Sequence, residues 1–135
     1  MAAAPAEDAA AVRDPDPMSP DHRAIFLGAP APRFLLRLEP EGRFVYVDVN
    51  PAGEAHVGLR RDEMVGRTAA DLFEPATAEL MESSHRACAV AGRPIVVCDA
   101  KLLPSGLRRA DARLTPIFGA GGEVAMIEVA IDPGQ

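Results

Sequence analysis

From Arg43 to Asn50 the side chains fall into two alternating sets, Arg43, Val45, Val47 and Val49 against Phe44, Tyr46, Asp48 and Asn50. A period of two, rich in β-branched and aromatic residues, predicts a strand. The apolar run from Phe34 to Leu38 lies just upstream, and Glu41-Gly42 between them is a turn signal, so the pair reads as a hairpin. Asn50 then precedes Pro51. An asparagine side chain caps a helix start, and proline suits the first helical position, where its missing N–H costs nothing. Gly58 and Gly66 punctuate two short helical pieces, as left-handed residues past their ends. Arg60 to Met64 predicts a helical turn. Thr68 caps a further turn through Leu72 and Phe73, which Glu74-Pro75 ends. Upstream of the hairpin, Ser19-Pro20-Asp21-His22 starts a short helix toward Leu27, broken by the Gly-Ala-Pro-Ala-Pro of residues 28–32.

The longest helix is predicted over residues 75–92, with Pro75 at its first position and Gly92 past its end. At helical spacing Leu80, Met81, Ser84, Cys88 and Ala91 share one arc, and Glu79, Glu82, Ser83 and Arg86 occupy the opposite side. Leu80 and Cys88 are therefore expected in the core. Strands follow over residues 95–103, 108–117 and 123–132, separated by Pro104-Ser105-Gly106 and by the glycine-rich residues 118–122. The last of these strands is apolar at almost every position except Glu128, so both of its faces must be covered. Glu128 is expected on the outward face, with Ile127, Val129 and Ile131 inward. The alternative is a buried carboxylate partnered by Arg109 or Arg113.

The chain has 135 residues, enough for one domain with a single hydrophobic core. Residues 1–19 carry little but Ala, Pro and Asp and are expected to be disordered; the domain is expected over residues 20–132, with 133–135 as a linker. The net charge of −6 argues against a nucleic-acid surface. No apolar run reaches the length of a membrane span, and the N-terminus lacks a basic start, so a cytoplasmic location without membrane contact is expected. Cys88 and Cys98 form neither a metal motif nor a disulfide framework. Lys101 is the single lysine among many arginines and alanines, a bias that suggests a GC-rich bacterial genome.

Several short runs together resemble the PAS domain, a family of sensor and signalling modules. They are Glu41-Gly42-Arg43, Asn50-Pro51-Ala52, Gly58, and Arg61-Asp62-Glu63-Met64-Val65-Gly66-Arg67, followed later by Leu114-Thr115-Pro116-Ile117 and Gly122-Glu123-Val124. The resemblance covers about residues 22–132. It implies an α+β fold: a five-stranded antiparallel sheet with short helices and one long helix packed on one face. It also implies a sensory or dimerising module that passes a signal to an output domain outside this chain, such as a histidine kinase, a cyclic-di-GMP enzyme or a regulator. Asp132 matches the aspartate of the family's closing motif, which links the sheet to the output.

No catalytic constellation is visible, so the chain is not expected to be an enzyme. By the resemblance, a ligand pocket would lie between the long helix and the sheet. Its candidate lining is Phe44, Phe73, Leu80, Met81, Ser84, His85, Cys88 and Met126, mostly apolar and poor for a charged ligand. Haem-binding relatives carry an axial histidine on the long helix. His85 is on that helix, yet at the edge of its apolar arc and closer to Gly92 than the family position. No cofactor is therefore expected, with a small-molecule or haem sensor as the alternative. The reactive-cysteine motif of flavin-binding relatives is missing, and Cys88 reads as a small core hydrophobe. A homodimer is expected through the outer sheet face and the leading segment, with Ile25, Phe26, Leu27, Ile127 and Val129 as interface residues. The competing outcome is that residues 25–27 fold back and seal their own sheet.

Overall fold

The computed structural model describes residues 20–132. The expected tail and the last three residues lie outside that range. The elements run α1 (Pro20–Gly28), β1 (Arg33–Leu38), β2 (Phe44–Val49), α2 (Pro51–Val57), α3 (Arg61–Met64), α4 (Ala69–Leu72), α5 (Pro75–Ala91), β3 (Ile95–Leu103), β4 (Gly106–Phe118) and β5 (Val124–Asp132). The five strands form one sheet in the order β2-β1-β5-β4-β3, antiparallel throughout. This is the α+β fold expected from the sequence.

Local chemistry explains most of the boundaries. Asn50 caps α2 by accepting a hydrogen bond from the Gly53 amide, with Pro51 in the first turn. Thr68 and Asp71 form a reciprocal capping box on α4. Glu74 caps α5 by accepting from the Ala76 and Thr77 amides, and Gly92 ends that helix at φ 66°. Gly58 has a double reason to be glycine. Its φ is +88°, and a Cβ there would stand 2.7 Å from the Ser105 amide nitrogen. That close approach brings the end of α2 against the β3–β4 turn, where the Ser105 amide donates to the Val57 carbonyl at 2.9 Å.

The core fills the space between the helices and one face of the sheet. Leu36, Phe44, Val49, Met64, Leu114 and Ile127 anchor it, all at or below 3% exposure. The helix α5 meets the sheet through Ala78, Met81, His85 and Cys88. The expected rotation of this helix is therefore corrected: Leu80 points away from the core and is 44% exposed, whereas Cys88 is fully buried as expected. The reason is side-chain size. A stripe of Ala, Met, His and Cys lets the helix axis approach the sheet closely, and Thr77 is buried without penalty because its hydroxyl donates to Glu74. A stripe centred on Leu80 would hold the helix further off.

The opposite face of the sheet is partly covered by α1. Leu35 and Val45 point outward yet are buried, as is Phe26 at 2% exposure, and none of the three belongs to the inner core. Arg23 of α1 reaches the outward Asp48 carboxylate at 2.7 Å. This corrects the expected dimer contacts. Phe26 seals its own sheet, and Ile127 and Val129 face the helices, so all three are buried inside one chain. Ile25 remains 63% exposed, and Leu27 is half-buried. Glu128 points outward as expected, but its partner is Arg33 on neighbouring β1, at 3.2 Å, rather than Arg109 or Arg113.

The rotation of α5 is open to measurement. Met64→Ala should cost about 2–5 kcal/mol by removing fully buried volume. Leu80→Ala should cost less than about 1 kcal/mol. Urea denaturation of both variants checks this, and equal losses would contradict the helix orientation.

Candidate functional site

Between α5, α2 and the inner face of β3 and β4 lies a cavity of about 60 Å³. Strand alternation decides which groups reach it. On β3 the inner set is Ile95, Val97, Asp99, Lys101 and Leu103, and on β4 it includes Arg108, Ala110, Ala112 and Leu114. Phe34 and Tyr46 close the wall nearer β1 and β2, their rings edge to face at 6.3 Å. From the helices come Met81, Ser84 and His85 on α5 and His56 on α2.

His85 is the least satisfied of these groups. It is 4% exposed, its ring lies 5.4 Å from that of Phe44, and its Nδ1 is buried with no hydrogen-bond partner. Burial, with the Lys101 and Arg86 charges nearby, lowers its pKa to about 4, so the ring is neutral near pH 7. His56 is shifted the same way, by burial and then by Arg108 and Lys101. Tyr46 is pushed above the ordinary phenol range by burial and by the Glu82 charge.

The polar end of the cavity is built by the β3–β4 hairpin. Lys101 and Arg108 are direct cross-strand partners on the inner face. Like charges placed opposite one another on a sheet destabilise it. Asp99 forms an ion pair with Lys101, while the described contacts of Arg108 are to Ser105, its Nε at 3.1 Å from the hydroxyl. Ser105 in turn donates to the His56 carbonyl at 2.5 Å, which locks α2 to this corner.

Of the lining residues expected from sequence, Met81, Ser84 and His85 reach the cavity. Phe44 and Cys88 are packed into the core beside it. Phe73 sits at the α4–α5 corner against an open surface groove, Leu80 faces solvent, and Met126 is on the outer sheet face. The cavity surface is mostly apolar, as expected, and His56, Asp99, Lys101 and Arg108 join its lining toward the hairpin end. Their signal was present in β3, where Asp99 and Lys101 interrupt an otherwise apolar alternating set. Cys88 is an inert thiol, its pKa raised by burial to about 11. Among the described residues no group of three or more His, Cys, Asp or Glu side chains is placed to hold a metal ion. Ligand pockets are typically about 300–1,000 Å³, so a haem or flavin does not fit this cavity without displacing α5.

The buried neutral imidazole makes stability depend on pH. Unfolded, the histidine titrates near its ordinary 6.5; folded, at about 4. Between those values the unfolded chain binds the extra proton, so stability is full above about pH 6.5 and falls as pH drops, by up to about 3 kcal/mol. His85→Leu should flatten most of that slope in urea midpoints measured from pH 7 to pH 4. An unchanged slope would place the titration elsewhere.

The fold and the cavity can be set beside known proteins. The Rhodobacter sphaeroides LOV protein superposes with a TM-score of 0.66 at 17% identity, covering 82% of this chain and 62% of that one. A Vibrio cholerae VqmA dimer, described as a LuxR-type receptor, gives 0.70 at 20% identity, covering 87% of this chain and 53% of VqmA. The PAS domain of a Colwellia psychrerythraea protein gives 0.66 at 15% identity, covering 83% of this chain and 92% of that domain. The chain thus spans less than two thirds of the LOV and VqmA chains. No curated protein matches it in sequence. The sequence profile described as PAS fold matches residues 30–135, and the chain belongs to that family of sensory domains.

Proposed function

We propose that this domain is the sensory and dimerising module of a larger bacterial signalling protein, delivering its signal to an output domain outside the chain. A histidine kinase, a cyclic-di-GMP enzyme and a transcriptional regulator are the output classes that fit such a module. The observation that carries this reading is the apolar surface on the outer side of the sheet. Val96, Leu102 and Leu107 are 54%, 53% and 70% exposed, and Ile25 of the leading helix is 63% exposed. Leu102 and Leu107 are cross-strand neighbours, so they form a contiguous patch. A soluble domain that leaves such residues in water commonly meets a partner there, and a second copy supplies the same apolar surface. VqmA, of similar fold, is described as a dimer. Asp132 ends β5 and is exposed, at the place from which a connection to the output would leave.

A second reading, a small-molecule sensor, is favoured by the unpartnered Nδ1 of His85. A VqmA structure is described as bound to DPO. The two readings are compatible, since a ligand between α5 and the sheet would act on strands whose outer side meets the partner.

No helix among the described residues is long and apolar enough to cross a membrane. A cytoplasmic setting is part of the proposal.

Sedimentation at tens of micromolar should give twice the chain mass. Leu107→Asp and Ile25→Asp should each shift the protein to monomer with circular dichroism unchanged. Phe26→Asp is not a clean test, because Phe26 is buried within one chain. A wild-type monomer at all concentrations would contradict dimerisation.

A further inference from the structure

The outer face of the sheet has two unlike halves. At the β2 edge it carries α1, tied down by the Arg23–Asp48 ion pair and by the Phe26 carbonyl on Asn50. At the opposite edge β3 and β4 present Leu102, Leu107 and Arg109 to solvent, so no described element covers them. The solvent side of α1 is a single helical face: Asp21, Ala24, Ile25 and Gly28, spaced i, i+3, i+4 and i+7, are all exposed. Ile25 is its one large apolar group and Asp21 its one charge. Ala24 and Gly28 beside them are small enough for the helix to approach a sheet surface closely. Among the described residues neither Asp21 nor Arg109 has an ion-pair partner. Arg109 stands opposite Ala100, whose short side chain leaves the guanidinium approachable.

We propose that a second copy of the chain fills this bare half with its own α1, Ile25 seated on Leu102 and Leu107 and Asp21 paired with Arg109, each copy doing the same to the other. The inference rests on the dimeric reading above and names the segment of the second copy that covers the patch. The spacings agree. Asp21 and Ile25 are four helical residues apart, about 6 Å along the axis. Leu107 and Arg109 are two strand residues apart, about 7 Å. With the helix lying along β4, both contacts form together. Symmetry then fixes the orientation. A two-fold axis running along the strands sets the α1 half of each sheet over the bare half of the other, so the contact forms twice. A two-fold axis across the strands stacks α1 on α1, and two helices each about 10 Å thick would hold the bare patches out of reach of one another.

Cross-linking reads the orientation, and charge exchange reads the contact. In a Cys98→Ser background, which removes the exposed native thiol, Ile25→Cys and Leu107→Cys chains are oxidised separately and as a mixture. A disulfide should join the two kinds of chain in the mixture, while neither variant alone should cross-link. In sedimentation, Asp21→Arg and Arg109→Asp should each weaken self-association by about tenfold or more, since each sets like charges together. Their equimolar mixture should dimerise like wild type, because both contacts of the mixed dimer again join opposite charges. All four positions are exposed, so circular dichroism and the thermal midpoint should stay those of wild type. Ile25→Cys chains that cross-link to one another, charge variants that dimerise normally, or a mixture that stays monomeric would overturn the reciprocal docking and leave the dimer standing. A wild-type monomer at all concentrations would remove the dimer and this contact with it.

Discussion

The Asn50 carboxamide is the joint on which the arrangement of this domain depends. It is completely buried. Its Oδ1 accepts from the amides of Arg33 at 2.9 Å and Gly53 at 2.8 Å, joining the start of β1 to the first turn of α2. Its Nδ2 faces the carbonyls of Phe26, Ala29 and Ala31, which fixes the end of α1 and the loop after it. One side chain thus satisfies backbone groups from three segments that have few other means of pairing. Gly53 makes room for this: a Cβ there would stand 2.7 Å from the Val49 side chain and 3.1 Å from the Asn50 oxygen. A buried amide with every hydrogen-bonding position used is stabilising; the same amide with half its partners removed is costly.

The consequences run outward from that joint. With the end of α1 held, its Arg23 reaches Asp48, whose other oxygen takes Arg61 at 2.6 Å. Asp48 is therefore a buried carboxylate held by two arginines, one before the β1–β2 hairpin and one after it in sequence. The covered outer corner leaves the exposed apolar residues on β3 and β4, at the far end of the sheet. On the inner side, α2 starts at Asn50 and ends at Gly58, against Ser105. The same helix that begins in the joint delivers His56 to the mouth of the cavity. The outer patch and the inner pocket thus share the β3–β4 hairpin, whose two faces they occupy.

Much of the fold was legible in sequence because local signals agree with one another. The alternation through β2, the Asn50-Pro51 start, Thr68 before α4 and the Pro75 and Gly92 limits of α5 each have a short-range cause, and each appears where expected. The face of α5 was less legible. Leucine outweighs alanine on any hydrophobicity count, yet a helix packed closely on a sheet favours the small residue, and Leu80 gives way to Ala78. The buried state of His85 had the same origin, since a histidine at the edge of an arc moves inward when the arc rotates. The leading helix was ambiguous for a different reason: an apolar triplet such as Ile25-Phe26-Leu27 can be split between two environments, and here Phe26 is inside while Ile25 is out. The pocket charges were legible on β3 taken alone, but their grouping was not. Lys101 and Arg108 become neighbours only through the β3–β4 register, and His56 joins them only because Gly58 allows the contact with Ser105.

The Asn50→Asp variant tests the joint most directly. Aspartate keeps an oxygen for the Arg33 and Gly53 amides and remains a good helix cap, but it loses both N–H groups that face the Phe26, Ala29 and Ala31 carbonyls. Native-state hydrogen exchange then reads each segment separately. The amides of α1 should lose their protection while those of β1, β4 and β5 keep theirs, with Phe26 newly accessible to solvent. Unchanged protection in α1 would show that the helix is held by other contacts and that Asn50 is not the joint of the fold.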